Sequence, residues 1–279
     1  MQLGEVGNLS IFFDSIKQQT SANASQLCIG LDADPNKIPQ ILKNDPDPIF
    51  SFNREIIDAT HDLVCCYKPQ IAYYAAVGAE KSLEMTIQYM RDKGVPVLLD
   101  SKRGDIGSTA EMYVEEAFER YGADAVTINP YMGMDSMEPF LARKDKGIFI
   151  LCRTSNPGGT DLQNLTLGSG LRVYEHVAKL AVEDWNENNN VGLVVGATRP
   201  DEISDIRKIT GDMPFLMPGV GAQGADVQAL MEHGQGGPMI INSSRAVLYA
   251  SNGSDFSIKA REVANATRIE VNSHKIEQP

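Results

Sequence analysis

Eight short apolar runs, each separated from the next by a segment of helical character, limit what this chain can fold into more than any other feature. The runs cover residues 27–31, 63–67, 95–99, 125–128, 148–151, 191–195, 215–220 and 239–241. Most are continuously apolar rather than alternating, the pattern of strands buried on both faces of a parallel sheet. Between them, Ser51 leads into an apolar-periodic stretch at 52–61 and Asp135 precedes another at 137–143. The longest such stretch, 73–93, ends at Gly94 in the usual helix-stop position. Strand then helix, eight times over, predicts an α/β fold of the (β/α)8 TIM barrel type, with a doubly wound open sheet as the alternative. A helix at 11–19 precedes the first strand and is expected to plug the amino end of the barrel. No linker interrupts the repeat, so residues 1–279 read as a single barrel domain with that N-terminal helix and a polar C-terminal tail after residue 271.

Hydrophobic residues make up 42% of the chain and charged ones 22%, enough apolar material for a full core. A net charge of −12 argues against wrapping a nucleic acid, while a local basic pocket for one phosphate stays compatible with it. No apolar run approaches the roughly 18 residues needed to span a bilayer, and the N-terminus lacks a basic region followed by an apolar stretch. Neither membrane insertion nor secretion is expected. Cys28, Cys65, Cys66 and Cys152 lack metal-ligand spacing and read as reduced core thiols of a cytoplasmic protein. His61, His176, His233 and His274 are scattered, and no metal site is expected from them.

Charge concentrates in Asp100-Ser101-Lys102-Arg103-Gly104-Asp105-Ile106-Gly107-Ser108-Thr109, directly after the apolar run Val97-Leu98-Leu99. That placement puts two carboxylates and two cations at a strand's carboxyl end, where α/β proteins build their sites. A buried cluster of alternating charge is costly to assemble and rarely needed for folding alone, so a functional reading outweighs a surface ion-pair loop. In a barrel, Asp32, Lys68 and Ser155 would meet it at the same mouth. Singly each is more often structural; together they form a candidate site. Met217-Pro218-Gly219-Val220-Gly221-Ala222-Gln223 and Asn242-Ser243-Ser244-Arg245 follow strands seven and eight, where barrels often bind phosphate. Glycines let backbone amides approach an anion, and a guanidinium can hold it with two hydrogen bonds. The irregular stretch 155–168 has the length of a lid or binding loop.

The chain resembles the orotidine 5′-phosphate decarboxylase family, its longer variant in particular. The resemblance rests on Gly30-Leu31-Asp32, Tyr67-Lys68-Pro69, the stretch 100–109, Asn129-Pro130-Tyr131, Cys152-Arg153-Thr154-Ser155-Asn156-Pro157 and Pro218-Gly219-Val220-Gly221. The Asp-x-Lys-x-x-Asp core also occurs in related phosphosugar decarboxylases and synthases; Gly-x-Thr and Tyr-Lys-Pro narrow the match. The resemblance implies conversion of orotidine 5′-monophosphate to uridine 5′-monophosphate and carbon dioxide in de novo pyrimidine synthesis, without metal or organic cofactor. It further implies a C6 carbanion stabilised and protonated by Lys102, within an alternating network of Lys68, Asp100, Lys102 and Asp105. Asp105 and Thr109 would reach across a homodimer into the partner's site. Asp32 and Lys68 would bind the ribose, Ser155 the pyrimidine, and Gly221, Gln223 and Arg245 the phosphate. One departure stands out: Ser244 occupies a position where many members of the family have a glycine before the arginine. Read from the residues alone, three alternatives stay open. One is a class I aldolase with a Schiff base on Lys68 or Lys102, another a metal-assisted phosphosugar lyase using Asp32, Asp100 and Asp105, and the third a phosphate-ligand sensor.

Overall fold

The computed structural model describes residues 10–221 and 226–275. Within them lie eight parallel strands: β1 (Leu27–Gly30), β2 (Cys66–Lys68), β3 (Leu98–Arg103), β4 (Ala125–Ile128), β5 (Gly147–Arg153), β6 (Val191–Val195), β7 (Phe215–Pro218) and β8 (Met239–Ser243). Their order is β2-β1-β8-β7-β6-β5-β4-β3. The two ends of that order meet where Tyr67 bridges to Val97 and Gln70 to Asp100, with Asp100 N–H donating to the Pro69 carbonyl at 2.9 Å. The ring is the expected TIM barrel rather than an open sheet. Six strands sit almost on the apolar runs; β2 starts later, at Cys66, and β3 starts at Leu98 and continues through the charged stretch to Arg103.

Among the described residues the helices are α1 (Ile11–Ala22), α2 (Pro48–Thr60), α3 (Ile71–Ala75), α4 (Glu80–Asp92), α5 (Gly107–Glu115), α6 (Met134–Leu141), α7 (Val173–Glu183), α8 (Pro200–Thr210), α9 (Val227–Gly234), α10 (Arg245–Leu248) and α11 (Phe256–Ser273). Four depart from the sequence expectation. α6 starts at Met134, so Asp135 lies within its first turn rather than before it. α2 begins ahead of Ser51, because Asp47 caps it by accepting from Phe50 N–H at 2.9 Å and Pro48 stands at its first position. The helix expected over 73–93 is two, α3 and α4, since the chain turns at Gly78 with φ 67°. The C-terminal helix keeps Val271 buried and runs to Ser273, past the expected start of the polar tail.

α1 closes the amino end of the barrel. Ser10 caps it, and it sends Phe12, Phe13 and Ile16 inward against Phe149, with ring centroids 6.0 and 5.7 Å apart for the two phenylalanine contacts to Phe149. The layer they seal takes one residue from every strand: Cys28, Cys66, Leu98, Ala125, Phe149, Val194, Leu216 and Ile240. Gly192 leaves the room that Phe149 fills, since a Cβ there would stand 2.6 Å from its ring. Burying each phenylalanine contributes about 1.5–3 kcal/mol. Two residues further along four of these strands the interior turns polar, with buried Lys68, Asp100, Thr127 and Asn242. The apolar floor therefore carries a polar layer that opens toward the carboxyl end.

Candidate active site

The polar layer is organised around Asp100. Lys68 Nζ donates to its Oδ2 at 2.9 Å, Lys102 Nζ to its Oδ1 at 2.5 Å, and the Thr127 hydroxyl to the same Oδ1 at 2.8 Å. The two lysines differ in access. The Lys68 side chain is 5% exposed and that of Lys102 42%, so Lys102 is the more accessible of the two.

Burial by itself would raise the Asp100 carboxyl, yet the Lys68 and Lys102 charges outweigh it and hold the group well below the usual carboxylate range. Burial would likewise lower the Lys68 ammonium; the Asp100 charge, then that of Asp32, overrides it and pushes the group up. Lys68 is thus a fixed cation and not the neutral amine that Schiff-base chemistry requires. Asp100 has both oxygens committed to ammonium groups, which leaves it poorly disposed as a metal ligand. Among the described residues no group of three His, Cys, Asp or Glu is arranged to hold a metal ion.

The remaining candidates gather around this centre unevenly. The loop after β1 is pinned by the Tyr249 hydroxyl, which accepts from Asp34 N–H at 2.7 Å and donates to the Asp32 carbonyl at 2.9 Å. Asp32 Oδ1 is buried with no partner among the described residues. Ser155 packs against Gly196, where a Cβ would stand 2.8 Å from the Ser155 nitrogen. Gly221 lies beside Ala246 and Ser243, and the side chain of Arg245, exposed at the start of α10, makes no hydrogen bond or ion pair within the described residues. Gln223 lies outside the described residues. Asp105 is not joined to the cluster within this chain: its Oδ1 accepts from Ile106 N–H at 2.8 Å, and no described ion pair reaches it. Thr109 is exposed on the first turn of α5. Ser244, at φ −121°, needs no glycine.

Three contributors were given no role in the sequence reading, Arg153 appearing there only within the motif 152–157. Thr127 is the one polar residue in an apolar strand, a signal that could have marked it. Arg153, 1% exposed, pairs with Glu202 at 2.7 Å and donates to the Thr154 carbonyl and to Gln163 Oε1. Gln163 Oε1 also accepts from Thr154 N–H at 2.9 Å, so this buried pair anchors both roots of the loop that carries Ser155. A charge directly behind an apolar run hints at Arg153, but nothing local points to Glu202.

A family model described as "Orotidine 5′-phosphate decarboxylase / HUMPS family" matches residues 25–255. An orotidine 5′-phosphate decarboxylase from Azoarcus sp. is 54% identical over 269 residues, covering 95% of this chain and 99% of the relative. One from Cellvibrio japonicus is 55% identical over 268 residues, covering 94% and 98%. The structure of Leishmania donovani OMP decarboxylase superposes with a TM-score of 0.82 at 35% identity, covering 96% of this chain and 99% of that one. Matched by that family model over most of its length and by relatives more than half identical across nearly their whole chains, the chain belongs to the orotidine 5′-phosphate decarboxylase / HUMPS family.

Proposed function

We propose that this chain converts orotidine 5′-monophosphate to uridine 5′-monophosphate and carbon dioxide in de novo pyrimidine synthesis. The observation that carries the reading is the Lys102 ammonium, held on Asp100 and exposed at the mouth. Breaking the bond between C6 and its carboxylate leaves the electron pair in an sp² orbital that the ring delocalises poorly. Lys102 stabilises that charge and then gives C6 its proton, while carbon dioxide departs; the neutral amine regains a proton from solvent. Asp100 and Lys68 fix the position of the ammonium, so little reorganisation accompanies the charge shift.

Electrostatics at one carbon does not suffice. A charge pair at about 4 Å is worth on the order of 4 kcal/mol at an effective dielectric near 20, whereas the largest enzymatic accelerations need about 20 kcal/mol or more. Contacts remote from C6 supply the difference by orienting the substrate and driving closure. We assign the ribose to Asp32 and Lys68, the pyrimidine to Ser155, and the phosphate to Gly221, Gln223 and Arg245.

Asp105 and Thr109 complete the site of a second copy in a homodimer. Supporting this are the absence of any described bond from Asp105 or Thr109 to the Asp100 cluster and the exposed Ile106, Tyr131, Met132 and Met134 on the loops that follow β3 and β4. The four buried, unbridged cysteines agree with a cytoplasmic protein. Among the described residues no helix is long and apolar enough to cross a membrane. The aldolase reading is disfavoured at Lys68 by its raised ammonium. Following the loss of orotidine monophosphate absorbance with the purified chain and a chelator tests the proposal. Chelator-resistant turnover supports it, and nucleotide binding without turnover overturns it in favour of a sensor.

A further inference from the structure

Lys102 occupies a backbone conformation that L side chains rarely adopt, with φ 50°. It does so where the ladder between β3 and β4 slips. Leu99 pairs with Val126 and Arg103 with Ile128, so Asp100, Ser101 and Lys102 stand opposite the single residue Thr127. Such a bulge strips backbone N–H groups of their strand partners, and buried donors without partners are costly. Here the Thr127 side chain takes the place of the missing ladder. Its Oγ1 accepts from Ser101 N–H and from Lys102 N–H, each at 3.0 Å, and donates to Asp100 Oδ1 at 2.8 Å. A hydroxyl has one proton and two lone pairs, and all three are used. The oxygen receiving its proton is the one that also receives the Lys102 ammonium.

We propose that Thr127 is a positioning residue for the reaction: its hydroxyl fixes the Lys102 backbone and the Asp100 carboxylate together, and so aims the Lys102 ammonium at C6. The inference rests on the role given to Lys102 above. Thr127 itself is buried and acts through Lys102 and Asp100. Its loss therefore affects the transition state more than the bound ground state.

Thr127→Val keeps the volume and removes the hydroxyl, leaving the Ser101 and Lys102 N–H groups without this acceptor and Asp100 Oδ1 with Lys102 as its remaining donor. We expect kcat to fall about ten- to a hundredfold, with the dissociation constant for uridine 5′-monophosphate close to wild type. Thr127→Ser, which keeps the hydroxyl, should restore kcat. A folded Thr127→Val enzyme with wild-type kcat overturns the inference, as does Thr127→Ser impaired as deeply as Thr127→Val. Product binding weakened by the same factor as kcat also overturns it, because that marks general damage to the mouth. If Thr127→Val does not fold, Thr127→Ala is compared with Thr127→Ser by the same readouts. Lys102→Ala measured alongside separates the two readings. Turnover that survives in Lys102→Ala removes the role of Lys102 itself. Turnover lost there but retained in Thr127→Val overturns the inference alone.

Discussion

The hydroxyl of Ser244 occupies the space into which a side chain on Gly30 would grow. A Cβ at position 30 would overlap Ser244 Oγ and stand 3.0 Å from Ser244 Cβ and 3.3 Å from Asn242 Oδ1. The ends of β1 and β8 can approach this closely because one of the two residues has no side chain. Ser244 has a negative φ that any residue adopts, and Gly30 supplies the volume its side chain takes.

Gly30→Ala should therefore destabilise the chain by about 1–3 kcal/mol, the usual cost of overpacking. Ser244→Gly should return most of that loss in the double variant, a coupling on the order of 0.5–3 kcal/mol. Urea midpoints of the four proteins measure it. Strictly additive effects would show that the two positions do not compete for the same space.

Lys102→Ala should lower kcat by at least about a thousandfold, given that each 1.4 kcal/mol of lost stabilisation is roughly a factor of ten. Binding of uridine 5′-monophosphate should largely survive, because the ribose and phosphate contacts lie elsewhere. Single-turnover kinetics with product titration provide both numbers. Near-normal turnover would falsify the assignment of Lys102 as proton donor.

The site within one chain lacks Asp105, which leads to a mixing experiment. Equal amounts of inactive Lys102→Ala and Asp105→Ala subunits, allowed to exchange, should recover roughly a quarter of wild-type activity. About half the dimers are then mixed, and each mixed dimer has one intact site. Absence of recovery after verified exchange would mean that each site is built from a single chain.

The barrel was legible because burial on both faces makes parallel strands read as continuous apolar runs, a signal each segment carries alone. Asp100 and Lys102 were legible because charge directly behind such a run is unusual. The start of α2 was not, since Ser51 and Asp47 are both plausible caps and the choice falls to Pro48 and the Ser82 hydroxyl that also bonds Asp47. The break at Gly78 was not legible because a single glycine inside a periodic stretch can be tolerated in a helix, and only its positive φ shows that the chain turns there. Thr127 and the Arg153–Glu202 pair become meaningful only once the strands are side by side, since their partners lie far away in sequence.

The charge network also contributes to the pH dependence of the fold. The Asp100 carboxyl is lowered in the folded chain, so its stabilising contribution is present above the unfolded value near 3.9 and is lost as pH falls below it. Lys68 is raised, so its contribution is present below the unfolded value near 10.4 and is lost as pH climbs past it. Between about pH 4 and pH 10 both groups bind the same number of protons folded and unfolded, and the network adds no pH dependence there. Below that window the unfolded chain takes up one more proton at Asp100, giving a slope of about 1.4 kcal/mol per pH unit from this residue. A Lys68→Met, Asp100→Asn double variant removes the buried pair while keeping its shape. Its urea midpoint should decline less steeply than that of wild type between pH 4 and pH 3, and again above pH 10.5, with the two curves parallel in between. Curves that stay parallel across the acid limb would mean that Asp100 does not carry the charge on which the rest of the site depends.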